Sequence, residues 1–106
     1  MRTFGDLHIG DVLINLWYDA TENSFTHTLI IVTNIRSHAL IYQILNNRGI
    51  DFGLQIENWN DTYIEDSYYD SSDRSIICAD IEVAREYLET QRREFLQMID
   101  NELESL

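Results

Sequence analysis

The residues best suited to do chemistry lie in one acidic, aromatic segment in the middle of the chain. Eight of the nineteen carboxylates fall between Asp51 and Asp80, where Arg74 is the one cation, so the segment carries −7 of the total charge of −12. Its aromatic residues include Trp59, Tyr63, Tyr68 and Tyr69. Concentrated negative charge attracts basic proteins and repels nucleic-acid phosphates. The chemistry predicted for this segment is therefore recognition of a basic protein surface.

In this interpretation the segment is a docking surface. The aromatic side chains would serve as anchors, while the carboxylates would steer the partner and form a charged rim. The predicted partner-binding residues are Glu57, Trp59, Asp61, Tyr63, Glu65, Asp66, Tyr68, Tyr69, Asp70 and Asp73. Two other interpretations stay open. The segment could be a solvated loop whose charge only keeps the protein soluble, or the surface of an immunity protein or antitoxin, acidic because its toxin is basic.

In its extreme form such a surface is a DNA mimic, because carboxylates on a loop and a helix can approximate the regular spacing of duplex phosphates. The predicted function is an inhibitor that occludes a basic, nucleic-acid-binding site. The predicted partner is then a nuclease, a repressor, a CRISPR effector or another nucleic-acid-binding protein. Direct binding to nucleic acid is disfavoured, since each phosphate contact needs a cation and the chain has seven, all of them arginine.

The other reactive residue types do not form a catalytic or metal-binding pattern. They include His8, His27, His38 and Cys78. These four are spaced too widely for a zinc site, and Asp66, Asp70 and Asp73 lack the glycine and glutamate of an EF-hand loop. The four glycines form no phosphate-binding loop beside a helix start. We therefore predict no catalytic residue, no metal and no cofactor.

The alternative of another class is a small enzyme or a ligand-binding barrel. A deep pocket lined by His27 or Cys78 would favour that alternative, whereas a flat acidic and aromatic face would favour binding. Cys78 lies in an apolar run, which is typical of a small buried hydrophobic residue.

Composition predicts a single cytoplasmic domain. With 106 residues, 44% of them hydrophobic, the chain can bury a core without disulfides or metals. One cysteine excludes an internal disulfide and fits a reducing compartment. The first residues lack the apolar stretch of a signal peptide, and no apolar run reaches membrane-spanning length.

The elements that position the acidic segment are short strands followed by a helix. Strand-like runs cover residues 12–18, 25–36, 39–45, 52–57, 62–64 and 75–79. Their close spacing excludes parallel crossovers. From Asp80, a predicted N-cap, the apolar period changes to that of a helix. The predicted fold class is α+β, with one domain over residues 1–106. Residues 1–79 form a small bent antiparallel sheet or SH3-like barrel of four to six strands, and residues 80–106 form one long helix.

The helix is predicted to be longer than the sheet that supports it. Residues 81–104 span about 36 Å at 1.5 Å per residue, against a diameter of about 30 Å for the compact sheet. We expect Met98 to Leu106 to contact a second copy, giving a homodimer, or another partner. The alternative is an apolar stripe that packs on the sheet along its whole length. The predicted core residues are Trp17, Leu29, Ile31, Ile35, Ile41, Ile44, Ile77, Leu88 and Phe95.

The order of elements resembles that of small accessory proteins of phages and prophages. The resemblance begins with Phe4-Gly5-Asp6-Leu7-His8-Ile9-Gly10-Asp11 and continues through an SH3-like β-meander to a closing strand and a charged helix. It covers most of the chain as a pattern and assigns no catalytic residue. What it implies is an accessory role, such as inhibition of a host defence system, in the cytoplasm of the host cell if the protein is encoded by a phage.

Overall fold

The computed structural model describes residues 2–67 and 72–106. A 3-10 turn at Phe4–Asp6 precedes six strands and one helix. These are β1 (Val12–Asp19), β2 (Ser24–Arg36), β3 (Ala39–Ile44), β4 (Asn47–Gln55), β5 (Tyr63–Ser67), β6 (Arg74–Cys78) and α1 (Ile81–Ser105). The structure thus confirms the predicted α+β order of strands followed by one long helix.

The six strands form one open sheet in the order β4-β3-β2-β1-β6-β5, with every pair antiparallel. Strands β1 to β4 follow one another as a meander. The β5–β6 hairpin then returns to the free side of β1, so that Tyr18 pairs with Arg74. Strands β4 and β5 are consequently the two edges of the sheet.

Irregular pairing bends the sheet. The register shifts between Val32 and Asn34 and again between Tyr42 and Ile44, and such bulges bend a strand and increase its twist. The concave face holds the main core, which comprises Phe4, Leu7, Leu13, Ile30, Val32, Leu40, Ile56, Ile77 and Ala79. Side chains from both edge strands, Leu54 of β4 and Ile64 of β5, pack against this core. The bend therefore turns the two edges toward each other.

Helix α1 covers the opposite face of the sheet. Val83, Ala84 and Tyr87 of the helix pack against Leu16 of β1 and against Ile76 and Cys78 of β6. Alternation along β1 explains how one strand serves both layers, since Leu13 enters the main core while Leu16 lies under the helix. Only the first turns of the helix contribute buried residues.

Several predicted core residues are not in the core. Ile77 is buried, and Ile35 and Ile44 pack against the core from partly buried positions. The prediction was wrong for Leu29, Leu88 and Phe95, which are exposed, while Trp17, Ile31 and Ile41 are only half-buried. On β2 the buried positions are Ile30 and Val32 instead. An unbroken apolar run from Leu29 to Val32 carries no alternation that could assign its residues to a face.

Asp80 begins the helix as predicted and also holds the N-terminal segment. Its carboxylate accepts hydrogen bonds from the backbone N–H groups of Val83 at 2.9 Å and of Arg2 at 3.1 Å. Burial alone would raise the pKa of Asp80, but the hydrogen bonds from Val83, Arg2 and Glu82 and the charge of Arg2 outweigh burial and place the pKa below its ordinary value of 3.8. The folded state therefore prefers the ionised carboxylate.

We expect Asp80→Ala to lower the free energy of unfolding by about 0.5 to 2 kcal/mol at pH 7, because a helix loses its N-cap. Since the folded pKa is depressed, the stabilisation is complete above pH 3.8 and is lost as the pH falls through the folded pKa. Urea unfolding at pH 7 and at a pH below 3.8 measures this effect. The difference in the free energy of unfolding between wild type and variant should be smaller in acid. The control Asp100→Ala removes a carboxylate from the opposite end of the helix and should be neutral or slightly stabilising. Equal losses for both variants would contradict the capping role.

The second half of the helix projects beyond the sheet. Every residue from Arg92 to Leu106 is exposed, and the longest dimension of the molecule is 53 Å against 28 and 23 Å for the others. This confirms the predicted overhang and contradicts the alternative of a stripe docked along its whole length. No helix in the described residues has both the length and the apolar composition needed to cross a membrane.

Candidate functional site: an acidic groove between strand β5 and helix α1

Strand alternation divides the acidic segment between the two faces of the sheet. Tyr63 and Glu65 stand opposite Cys78 and Ile76, on the face that carries the helix. Asp66 stands opposite Ser75 and lies on the concave face instead. Over residues 51–67 and 72–80 the segment is therefore not one continuous surface, and its helix-facing part is the part that can join with charges from α1.

That part forms a groove with the helix, which we call the acidic groove. Its lining residues are Thr62, Tyr63, Glu65, Val83, Glu86, Tyr87, Thr90, Gln91 and Glu94. The cavity volume is about 260 Å³. Three carboxylates, those of Glu65, Glu86 and Glu94, face this space from two different elements. None of the described lining residues is a cation, and Arg74, which lies outside the lining, forms an ion pair with Glu65.

Glu65 is held in place by two partners. Nη1 of Arg74 donates a hydrogen bond to Oε1 of Glu65 at 3.0 Å, and the hydroxyl of Tyr87 donates to Oε2 at 3.3 Å. Burial, with the nearby charge of Glu65 as the next cause, raises the pKa of Tyr87 to about 12. The phenol therefore keeps its proton at neutral pH and remains a donor to the carboxylate. A pre-positioned carboxylate loses less conformational entropy when it binds a cation.

Two tyrosines form the aromatic wall of the acidic groove. The ring of Tyr63, 44% exposed, meets the ring of Tyr87 edge-on with centroids 5.5 Å apart. An exposed aromatic face attracts ammonium and guanidinium groups, and neighbouring carboxylates add charge-assisted hydrogen bonds. The acidic groove can therefore accept a cationic side chain, and its planar aromatic wall favours arginine.

One predicted anchor, Trp59, and one predicted rim residue, Asp61, make contacts within the protein itself. Trp59 is half-buried, packs against the main core, and donates a hydrogen bond from Nε1 to the carbonyl of Ser37 at 3.1 Å. Asp61 accepts a hydrogen bond from the side chain of Asn58, and its carbonyl accepts one from the backbone of Phe4. Both residues organise the loop before β5 and lie apart from the acidic groove.

The other predicted partner-binding residues are dispersed. Glu57 is exposed and lines a shallow surface with His38. Asp73 accepts a hydrogen bond from the backbone N–H of Ala20 at 2.8 Å, which fixes the approach to β6. Three predicted residues, Tyr68, Tyr69 and Asp70, lie outside the described part of the chain. Of the ten predicted residues, the structure thus brings Tyr63 and Glu65 together in the acidic groove.

The described residues considered for catalysis do not form a cluster. Cys78 is fully buried as expected, and burial, with the charge of Asp80 as a second cause, raises the pKa of its thiol to about 12. His27 lies near the start of β2 and His38 in the turn that follows it, and both are exposed. Within residues 2–67 and 72–106, no three His, Cys, Asp or Glu side chains are grouped in a way that could hold a metal ion.

Glu86 and Glu94 are site residues that were not among those predicted from the sequence. With Thr90 between them they recur every four residues, so they share one face of α1. That spacing could have been read from the sequence, but pairing this face with β5 requires the sheet order, in which β5 lies beside β6 under the helix.

Comparisons of the chain with protein-family models, with curated proteins and with solved structures found no match. What the acidic groove binds therefore has to follow from its own geometry and charge.

Proposed function

We propose that this protein binds a basic protein through the acidic groove and thereby blocks the partner's nucleic-acid-binding site. The observation that carries the proposal is the convergence of Glu65, Glu86 and Glu94 on an exposed tyrosine in one groove. In this role an arginine of the partner enters the acidic groove and pairs with its carboxylates. The same arginine can then no longer bind a phosphate.

Charge and geometry contribute different parts of the binding. The net charge of −12 attracts a basic surface from a distance and accelerates association. The acidic groove then supplies the short-range contacts, since Glu65 is already oriented by Arg74 and Tyr87. Occlusion follows because a cationic site covered by carboxylates cannot reach phosphates at the same time. This mechanism retains the inhibitory role predicted from the sequence and transfers its centre from the loop to β5 and α1.

A charge-reversal experiment tests the proposal. The immobilised protein is used to capture proteins from a cell lysate at low and at high salt. Each captured protein is then assayed for binding to labelled DNA and RNA. We expect Glu86→Arg/Glu94→Arg to reduce capture at low salt and to abolish the ability of the chain to displace nucleic acid from its partner. High salt should weaken the wild-type interaction as well, because exposed charges are screened.

The matched control is Asp100→Arg/Glu104→Arg, which makes the same change of charge on exposed helix residues outside the acidic groove. This control should lower the association rate modestly and leave displacement intact. Two outcomes would overturn the proposal. One is a partner whose nucleic-acid binding is unaffected by the wild-type chain, and the other is equal loss of displacement with both variants.

A further inference from the structure

Helix α1 carries a stripe of exposed, mostly apolar residues on a different side from the acidic groove. Its members, all exposed, are Leu88, Arg92, Phe95, Ile99, Glu102 and Leu106. At 3.6 residues per turn these six positions fall within an arc of roughly 80°. We call them the helix stripe.

Positions in the helix stripe alternate by four and three residues, which is the spacing of a coiled-coil seam. The pattern is also symmetric about Gln97. In an antiparallel pair of helices crossing at that level, Leu88 faces Leu106 of the other copy, and Phe95 faces Ile99. Leu96 and Met98, both exposed, flank the helix stripe on its two sides, where the same symmetry places each near its own counterpart in the other copy. Apolar residues therefore pair with apolar residues along about 28 Å of helix.

The charges in the helix stripe are complementary under the same operation. Arg92 faces Glu102 of the other copy, so a two-fold axis creates two identical ion pairs between the helices. Arg92 already contacts Glu89 on its own helix, yet its side chain is 68% exposed, and a guanidinium has five donors. A parallel pair would instead place Arg92 against Arg92 and Glu102 against Glu102.

A groove at one end of the helix stripe provides further contact surface. It lies between the helix and the β1–β2 hairpin, has a volume of about 360 Å³, and is lined by Tyr18, Asn23, Phe25, Arg74, Leu88, Gln91, Arg92 and Phe95. In the antiparallel arrangement the last turn of the other copy, with Leu103 and Leu106, reaches this groove. The rings of Tyr18 and Phe25, 4.9 Å apart, would cover side chains that are otherwise the most exposed apolar residues of α1.

We propose that two copies of this chain associate through the helix stripe as an antiparallel, two-fold symmetric dimer. The self-complementary order of apolar and charged residues carries this proposal, which is independent of the proposed inhibitory function. Support from the β1–β2 hairpin lengthens a seam that would be short for an isolated coiled coil. The acidic grooves lie outside the helix stripe, so the dimer presents two of them.

Charge exchange across the seam tests this proposal with the purified protein alone. Sedimentation velocity over a wide range of concentration should show a monomer–dimer equilibrium. We expect Arg92→Glu or Glu102→Arg to raise the dimer dissociation constant at least about tenfold, because each places two pairs of like charges in the seam. The double variant Arg92→Glu/Glu102→Arg should restore association toward the wild-type constant, since the ion pairs form again with their signs exchanged.

The controls Arg93→Glu and Glu104→Arg make the same changes of charge on the opposite side of the helix and should leave the dissociation constant within about threefold of wild type. Circular dichroism of every variant establishes that the helix is intact. A wild-type chain that stays monomeric at all concentrations would overturn the proposal. So would a dimer that the single reversals leave unchanged, or one that the double variant fails to restore.

Discussion

Replacing Ile30 with alanine should lower the free energy of unfolding by about 2 to 5 kcal/mol. Ile30 is fully buried in the main core on the concave face, where it stands opposite Leu13 of β1 and Ile44 of β3. The smaller side chain removes apolar contacts and leaves a cavity that the surrounding strands can close only in part. Urea unfolding followed by circular dichroism measures the loss.

The neighbouring residue supplies a matched control. Leu29 is 41% exposed and lies on the other face of β2, so Leu29→Ala should cost about 1 kcal/mol or less. A difference of this size between adjacent residues tests the register directly, because shifting the pairing by one position would exchange their faces. If Leu29→Ala proves the more damaging change, the register of β2 described here is wrong.

The second large effect concerns the attachment of the helix. Tyr87 is buried between α1 and the sheet, meets the rings of Phe25 and Tyr63 edge-on, and donates a hydrogen bond to Glu65. We expect Tyr87→Ala to lower the free energy of unfolding by about 3 to 5 kcal/mol, as for other large buried aromatic residues. Tyr87→Phe, which removes only the hydroxyl, should cost about 1 kcal/mol.

Leu88 provides the comparison for Tyr87. It follows Tyr87 in sequence but is 36% exposed, so Leu88→Ala should cost about 1 kcal/mol or less in the monomer, measured at low protein concentration. This expectation replaces the one drawn from the sequence, where Leu88 was a core residue. Comparable losses for the two alanine variants would show that the helix docks through a wider face than Val83, Ala84 and Tyr87.

The sequence was sufficient to predict the type and order of the elements. β-branched runs, a change of apolar period at Asp80 and the capping carboxylate are local signals, and local physics determined the outcome there. The core on β2 could not be predicted in the same way, because a continuous apolar run leaves the face undetermined until pairing with β1 sets it. Which apolar residues of the helix are buried was also undetermined, because the helix has more of them than the short sheet can cover.

The sequence predicted the charge and aromatic character of the candidate site better than its location in the fold. Charge and aromatic content identified the acidic segment, and Tyr63 and Glu65 were among the residues named from it. Trp59 was assigned to the surface because nothing local indicates that its indole reaches the carbonyl of Ser37. Glu86 and Glu94 belong to the site only because the β5–β6 hairpin returns beside β1, and that pairing connects distant parts of the chain.

That return of the hairpin also governs how the protein folds. Strands β1 to β4 pair with their neighbours along the chain, whereas β6 pairs with β1 across most of the sheet-forming sequence. Such distant pairings have a larger entropic cost of loop closure and form more slowly. The helix docks on Leu16, Ile76 and Cys78, which come together only once β1 and β6 have paired. We therefore expect closure of β6 against β1 to complete the helix-docking surface and the acidic groove together, because both need residues of the β5–β6 hairpin in place.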